Sequence, residues 1–192
     1  MRPNLYDILR VDMKTLRDRF PSNHQIISVF AVASMLIYGW TLYRVAQKLP
    51  SWLLFLQFQE IVFNYAYALV FNFLESLLFI GVILLINLVL PKKLFMEMFV
   101  ARGALFAILE LGYIIYLALA IGQSKASQFP WEIINWAPLI MMVLFALAVI
   151  LPGIILIRKA IDGFADRAII FLYILLPLSG LAGVVCLINN IF

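Results

Sequence analysis

Long apolar runs without a charged residue constrain this chain more than any other feature of its sequence. Such runs cover residues 25–43, 133–157 and 168–192, and each is close to or above the roughly 20 residues that a helix needs to cross a bilayer core. Lipid offers the backbone no hydrogen-bond partner, so a crossing segment must satisfy its own backbone groups, and uninterrupted runs of this length indicate helices rather than barrel strands. The sequence therefore predicts an all-α, polytopic membrane bundle.

The composition excludes a fold in water. Hydrophobic residues make up 66% and charged residues 12% of the 192 positions, against roughly 45–50% and about 25% in a soluble domain. The net charge is +4, but the basic residues stand beside the ends of apolar runs, where they contact anionic lipid headgroups. We therefore expect membrane lipids as neighbours and no binding of nucleic acid.

Five apolar segments predict five transmembrane helices in a single domain, residues 22–192. The predicted spans cover about 25–44, 67–90, 99–121, 134–157 and 169–190. Ahead of them, apolar side chains recur on one face of residues 4–20, opposite basic residues. This pattern predicts an amphipathic helix on the inner face, residues 1–21, which either lies on the membrane surface or caps the bundle.

The stretch from Pro50 to Pro91 is longer than one crossing requires, yet no turn residue divides it. Ser51 can cap a helix, and polar side chains then recur at helical spacing. We expect residues 51–66 to form an outer interfacial helix ahead of the second span, either separate from that span or continuous with it. If this segment crosses the membrane instead, the chain has six crossings.

The distribution of basic residues predicts the orientation of the bundle. With five spans, Arg44, Lys48 and Lys125 fall on one side of the membrane, and the other eleven of the 14 Lys and Arg residues fall on the opposite side. The larger group comprises Arg2, Arg10, Lys14, Arg17, Arg19, Lys92, Lys93, Arg102, Arg158, Lys159 and Arg167. The positive-inside rule assigns that side to the cytoplasm, so we expect the plasma (inner) membrane, a cytoplasmic N-terminus and an outside C-terminus.

Two acidic residues fall at membrane depth, where an ionisable group is costly and is usually paired or functional. Glu75 and Glu110 belong to the second and third spans, which a short basic segment, residues 91–98, joins into an expected antiparallel hairpin. The two carboxylates can then lie level inside the bundle. With Asn72 and Tyr113 they form a predicted proton or cation site.

An alternative interpretation, which we prefer, is that hydrogen bonds to neighbouring polar groups hold these acids and merely fix the helix register. A polar stripe formed by Gln57, Glu60 and Asn64 continues from Glu75 toward the outer surface. Arg102 lies nearer the inner surface and is expected to extend to the headgroups, so it is a poor partner for either acid.

The sequence contains no catalytic constellation that we can identify. His24 is the only histidine and Cys186 the only cysteine, so we expect neither a Ser-His-Asp or Cys-His arrangement nor a metal site built on these ligands. No glycine-rich phosphate loop occurs, and we expect no cofactor. Chemistry on a lipid by the two buried acids stays open as a third possibility.

Aromatic residues near the outer surface predict a ledge at headgroup level, formed by Trp52, Phe55, Trp131 and Trp136. Such residues form either a simple aromatic belt or a platform for a partner. A bundle with docking surfaces but no reaction site favours a non-catalytic membrane subunit or anchoring module that acts with a partner protein or as a homo-oligomer. The alternative is a small transporter or channel that uses Glu75 and Glu110.

Overall fold

The computed structural model describes residues 20–123 and 131–191. Within these ranges all regular structure is helical, and five helices are long and apolar enough to cross a membrane. The predicted fold class is confirmed at this level. The predicted amphipathic helix over residues 1–21 lies almost entirely outside the described residues.

Five long helices form the bundle, here numbered in chain order. They are α1 (Asn23–Phe55), α2 (Phe58–Val89), α3 (Phe99–Gln123), α4 (Trp131–Ile150) and α5 (Ile155–Ile191). A helical turn, Lys92–Phe95, and a 3-10 turn, Met96–Met98, join α2 to α3, and a second 3-10 turn, Leu151–Gly153, joins α4 to α5.

Helix α1 begins at a capping box. The backbone N–H of Gln25 donates to Oγ of Ser22 over 3.4 Å, and the backbone N–H of Ser22 donates to Oε1 of Gln25 over 2.9 Å. These bonds satisfy two donors that the first turn of a helix leaves unpaired. Ser22 is therefore the N-cap of α1.

A separate interfacial helix over residues 51–66 is not present, and this prediction is wrong. Helix α1 continues to Phe55, the chain turns over two residues, and α2 begins at Phe58. The backbone N–H of Gln57 donates to Oε2 of Glu60 over 2.8 Å, which caps the start of α2. Gln57 and Glu60, two polar residues of the predicted stripe, thus stabilise the start of α2. The residues from Phe58 onward belong to one long helix.

The predicted bounds of the fourth and fifth spans, 134–157 and 169–190, also need correction. Helix α4 ends earlier, at Ile150, because Pro152 lacks an N–H and cannot continue the helical hydrogen bonds. Helix α5 begins earlier, at Ile155, and its 37 residues run through Pro177. The charged residues that separate the two predicted spans lie inside α5.

Helix α1 lies at the centre of the bundle and packs against α2, α3 and α5, whereas α4 packs mainly against α3. Val29, Val32 and Ala33 of α1 are fully buried, while Ala148 is the buried residue of α4. Three neighbours leave α1 little lipid contact, and α4 keeps most of its surface free.

The helices alternate in direction. At the start of α1, His24 lines a cleft with Phe99 of α3 and Arg158 of α5. Further along α1, Ile37 lines a groove with Ile114 of α3, and Tyr38 contacts Ser179 of α5, so these three helices run parallel. Helices α2 and α4 run the opposite way. The end at which α1 begins also carries Lys92 and Arg158, and it is called the basic end below.

Three helices are longer than a membrane crossing requires. Helices α1, α2 and α5 contain 33, 32 and 37 residues, which corresponds to about 50, 48 and 55 Å against about 30 Å of hydrocarbon. The α1–α2 turn therefore extends past the core at the end opposite the basic end. The first turns of α5 extend at the basic end, where Arg158 and Asp162 form an ion pair over 3.6 Å.

Candidate functional site

Two contacts fix the register between α2 and α3. The rings of Phe79 and Phe106 stack with their centroids 5.7 Å apart, and a Cβ atom built on Gly103 would lie 3.7 Å from Cγ2 of Ile83. Glu75 on α2 and Glu110 on α3 each lie four residues, about 6 Å, beyond the stacked phenylalanines, on the side away from the basic end. The two acids are therefore level with each other. The predicted antiparallel arrangement and common depth of the two acids agree with this register.

The two helices separate beyond the phenylalanine stack and leave a groove over α1. Its floor is formed by α1, one wall by α2 and the other by α3. The groove has a volume of about 320 Å³ and is lined by Leu36, Ile37, Trp40, Thr41, Asn72, Glu75, Leu111, Ile114 and Ile115. Because α1 holds α2 and α3 apart here, the groove is open toward the surrounding lipid.

Glu75 lies in this groove with an exposed side chain. Among the described residues it makes no hydrogen bond and no ion pair. Its register with Glu110, which stands near the midpoint of α3, puts it level with the middle of that apolar helix. The prediction that Glu75 lies inside the bundle is therefore wrong, because α3 does not cover this face of α2.

Glu110 has the opposite environment. Its side chain is 3% exposed, and its Oε2 atom is buried without a hydrogen-bond partner among the described residues. It does not line the groove, whose α3 wall begins with the next residue, Leu111. The two acids thus share a depth, but Glu75 is exposed in the groove and Glu110 is buried outside the groove lining.

Asn72 and Tyr113, the other members of the predicted site, also divide between the helices. Asn72 is buried, and its Oδ1 atom accepts a hydrogen bond over 2.8 Å from Oγ1 of Thr41. Its Nδ2 atom has no partner in the described ranges. The hydroxyl of Tyr113 is likewise buried without a partner there, and its ring stacks on Tyr116. Asn72 alone joins Glu75 in the groove.

The remaining predicted residues lie toward the end opposite the basic end. Gln57, Glu60 and Asn64 are exposed, and the first two cap α2. Of the predicted ledge, Phe55, Trp131 and Trp136 are exposed and Trp52 is half-buried. These exposures are compatible with a belt or a platform.

Arg102 makes a contact with α4 that the sequence did not reveal. Its side chain is buried, and Nε donates to the backbone carbonyl of Val149 over 3.1 Å. Helix α4 ends one residue later, so this carbonyl belongs to the last turn, which lacks intrahelical donors. The expectation that Arg102 extends to the headgroups is wrong, because the end of α4 gives the guanidinium an acceptor within the bundle.

A second concave surface that the sequence did not reveal lies at the basic end. This cleft of about 290 Å³ is lined by His24, Gln25, Glu97, Met98, Phe99, Val100, Arg158, Asp162 and Asp166. The i, i+4 spacing of the last three residues on α5 could have suggested it. No three of the described His, Cys, Asp and Glu side chains are grouped so that they could hold a metal ion. The cleft is a charged surface of mixed sign at the end of the bundle.

Comparison with known proteins adds no relative. No protein-family model, no curated protein and no solved structure matches this chain. The groove, Glu75 and the packing around them are therefore the features that bear on function.

Proposed function

We propose that this chain is a non-catalytic membrane subunit that binds a transmembrane segment of another protein in the Glu75 groove. One observation carries the proposal: Glu75 is exposed in a lateral groove of the bundle, level with the middle of the apolar helix α3. A partner that covers the groove would remove that acid from lipid.

The free energy of membrane insertion supports this. A charged side chain at the centre of a transmembrane helix costs about 2.5–3.5 kcal/mol on insertion scales, and such residues almost always face protein or a water-filled cavity. Among the described residues, Glu75 has no neighbour that offsets this cost by a hydrogen bond or an ion pair. Its exposure in the single chain is accounted for if another protein completes its surroundings.

The alternative, a small transporter centred on Glu75 and Glu110, has less support. A shared proton or cation requires both carboxylates at one cavity, whereas one lines the groove and the other is buried outside it. A lipid-modifying enzyme would further require catalytic groups beside these acids, and the groove lining offers Asn72 and Thr41 but no second ionisable residue.

We further propose that the basic end faces the cytoplasm of a cell bounded by a plasma membrane. The eleven basic residues on that side support this orientation, with a cytoplasmic N-terminus and an outside C-terminus. Compartment-specific reporters fused to the two ends would contradict it if both gave the same compartment.

The docking proposal can be tested by site-specific photo-crosslinking in the membranes of the organism that makes the protein. A photoreactive phenylalanine analogue would replace Ile114, which lines the groove and is 46% exposed. The matched control would replace Leu181 of α5, which is 66% exposed and does not line the groove. We expect a discrete protein adduct from position 114 and none from position 181.

Lipid adducts alone at both positions would contradict the proposal. Equal protein adducts at both positions would also contradict it, because the groove would then be no more occupied than the rest of the lateral surface.

A further inference from the structure

Glu75 is the exposed polar group of the groove that an occupant must satisfy. Glu75 provides acceptor oxygens, and Nδ2 of Asn72 is buried in the same groove without a partner among the described residues. The hydroxyl of Thr41 is already used, since it donates to Oδ1 of Asn72 over 2.8 Å. The principal unmet requirement is therefore a hydrogen-bond donor, or a cation, opposite Glu75.

In the described ranges, 20–123 and 131–191, no Lys or Arg side chain lines the groove. Its sequence contains no Lys or Arg from residue 49 to 91, from 103 to 124, from 126 to 157 or from 168 to 192. Arg44 follows Trp40 on α1, but its guanidinium carbon lies 5.6 Å from the centroid of the Trp40 ring, a cation–π contact. It forms no ion pair with Glu75 within the described part of the chain.

A second copy of the chain fits the groove poorly for the same reason. Copies inserted with the same orientation are related by an axis along the membrane normal, so residues at equal depth face each other. At the depth of Glu75 the facing copy offers only apolar and uncharged polar residues and its own two acids. Two carboxylates in a low-dielectric region repel each other unless one is protonated.

We infer that the groove binds a transmembrane helix of a different protein, and that this helix carries a Lys or Arg side chain level with Glu75. The inference rests on the proposed function and adds the chemistry of the partner. Charge complementarity with Glu75 provides the specificity, because the cation of the partner helix pairs with this exposed carboxylate. An apolar helix would leave the carboxylate unsatisfied.

Synthetic transmembrane peptides can test the inference without the natural partner. The probes are three otherwise identical polyleucine helices whose central residue is Lys, Leu or Glu, each with an acceptor dye. The full chain, with Cys186→Ala and a donor dye on Ser51→Cys, is reconstituted in phosphatidylcholine vesicles with each peptide, and energy transfer is measured. We expect the Lys peptide to associate about three- to twentyfold more tightly than the Leu peptide, the range that polar contacts between membrane helices give.

Two matched substitutions identify the responsible acid. Glu75→Gln should remove the preference for the Lys peptide, whereas Glu110→Gln, at the same depth but in the core, should keep it. Equal transfer from the Lys and Leu peptides to the native chain would overturn the inference. So would a preference for the Glu peptide, which would indicate carboxyl groups that share a proton, as in a homodimer.

The two proposals fail in different experiments. A protein adduct from position 114 together with no preference for the Lys peptide would retain the docking function and reject the cation. Lipid adducts alone from position 114 would reject the docking function itself.

Discussion

At the scale of single residues, hydrogen bonds between helices hold the centre of the bundle. The hydroxyl of Tyr38 is hydrogen-bonded to Oγ of Ser179, and either oxygen can be the donor; Oγ of Ser179 also lies 2.8 Å from the carbonyl oxygen of Leu175. Tyr38 also lies within 3.4 Å of the carbonyl of Leu69. One buried hydroxyl therefore joins α1 to both α2 and α5.

Removal of the Tyr38 hydroxyl should destabilise the bundle. Tyr38→Phe should lower the free energy of unfolding by about 0.6 kcal/mol, and at most by about 1.7 kcal/mol, the range measured for such bonds in membrane proteins. Tyr173→Phe is the matched control, because Tyr173 is 76% exposed on α5 and should change little. Unfolding in mixed micelles with increasing dodecyl sulfate measures both. Equal losses of unfolding free energy in the two variants would contradict the stabilising role of the Tyr38 hydroxyl.

The sequence predicted which residues carry unusual chemistry, but not where those residues lie. Glu75 and Glu110 stand out in any apolar span, since an acid there is rare whatever the packing. Their depth followed from helical rise alone. Their burial depends on which helix covers which face, and α1, not α3, packs against the α2 face that carries Asn72. The polar stripe on α2 does not by itself predict which helix packs against that face.

At the scale of helices, the sequence predicted that five long helices form, but it did not predict where each helix begins and ends. Five apolar segments gave five helices, because each must satisfy its backbone within lipid. The predicted helix over 51–66 failed because Gln57 and Glu60 resemble an interfacial stripe, whereas their spacing also suits a cap. Similarly, the charges after Pro152 suggested a loop, yet α5 begins at Ile155 and keeps those charges at the basic end.

Gly103 gives the prediction at this scale, because it sets the distance between α1 and α3. A Cβ atom there would lie 3.0 and 3.1 Å from the two γ carbons of Val29. Gly103→Ala should therefore destabilise the bundle by about 1–3 kcal/mol, the usual cost of overpacking a core. Gly112→Ala, on the same helix with nothing within 4 Å of its added Cβ, should be neutral or slightly stabilising.

The same unfolding assay compares these two glycine variants. If Gly103→Ala is as stable as Gly112→Ala, then α1 can move away from α3 without loss, and the close contact at Val29 is not a constraint on the bundle.

At the scale of the whole molecule, the groove results from the order in which the helices pack. Helix α1 lies between α2 and α3, so these two meet only where Phe79 and Ile83 reach across toward the basic end. Beyond that point they separate and leave α1 uncovered. A sequence read one helix at a time predicts the polar residues but not this opening, because the opening belongs to three helices together.

The central claim is that Glu75 is exposed at the middle of the membrane when the chain is alone. Spin-label accessibility in vesicles tests it most directly, with a nitroxide on Glu75→Cys in a Cys186→Ala background and reference labels on Leu181→Cys and Ser51→Cys. We predict that the label at position 75 collides readily with oxygen and rarely with a water-soluble nickel chelate, like the label at position 181. A label at position 75 that meets the nickel chelate as readily as the label at position 51 would contradict the account.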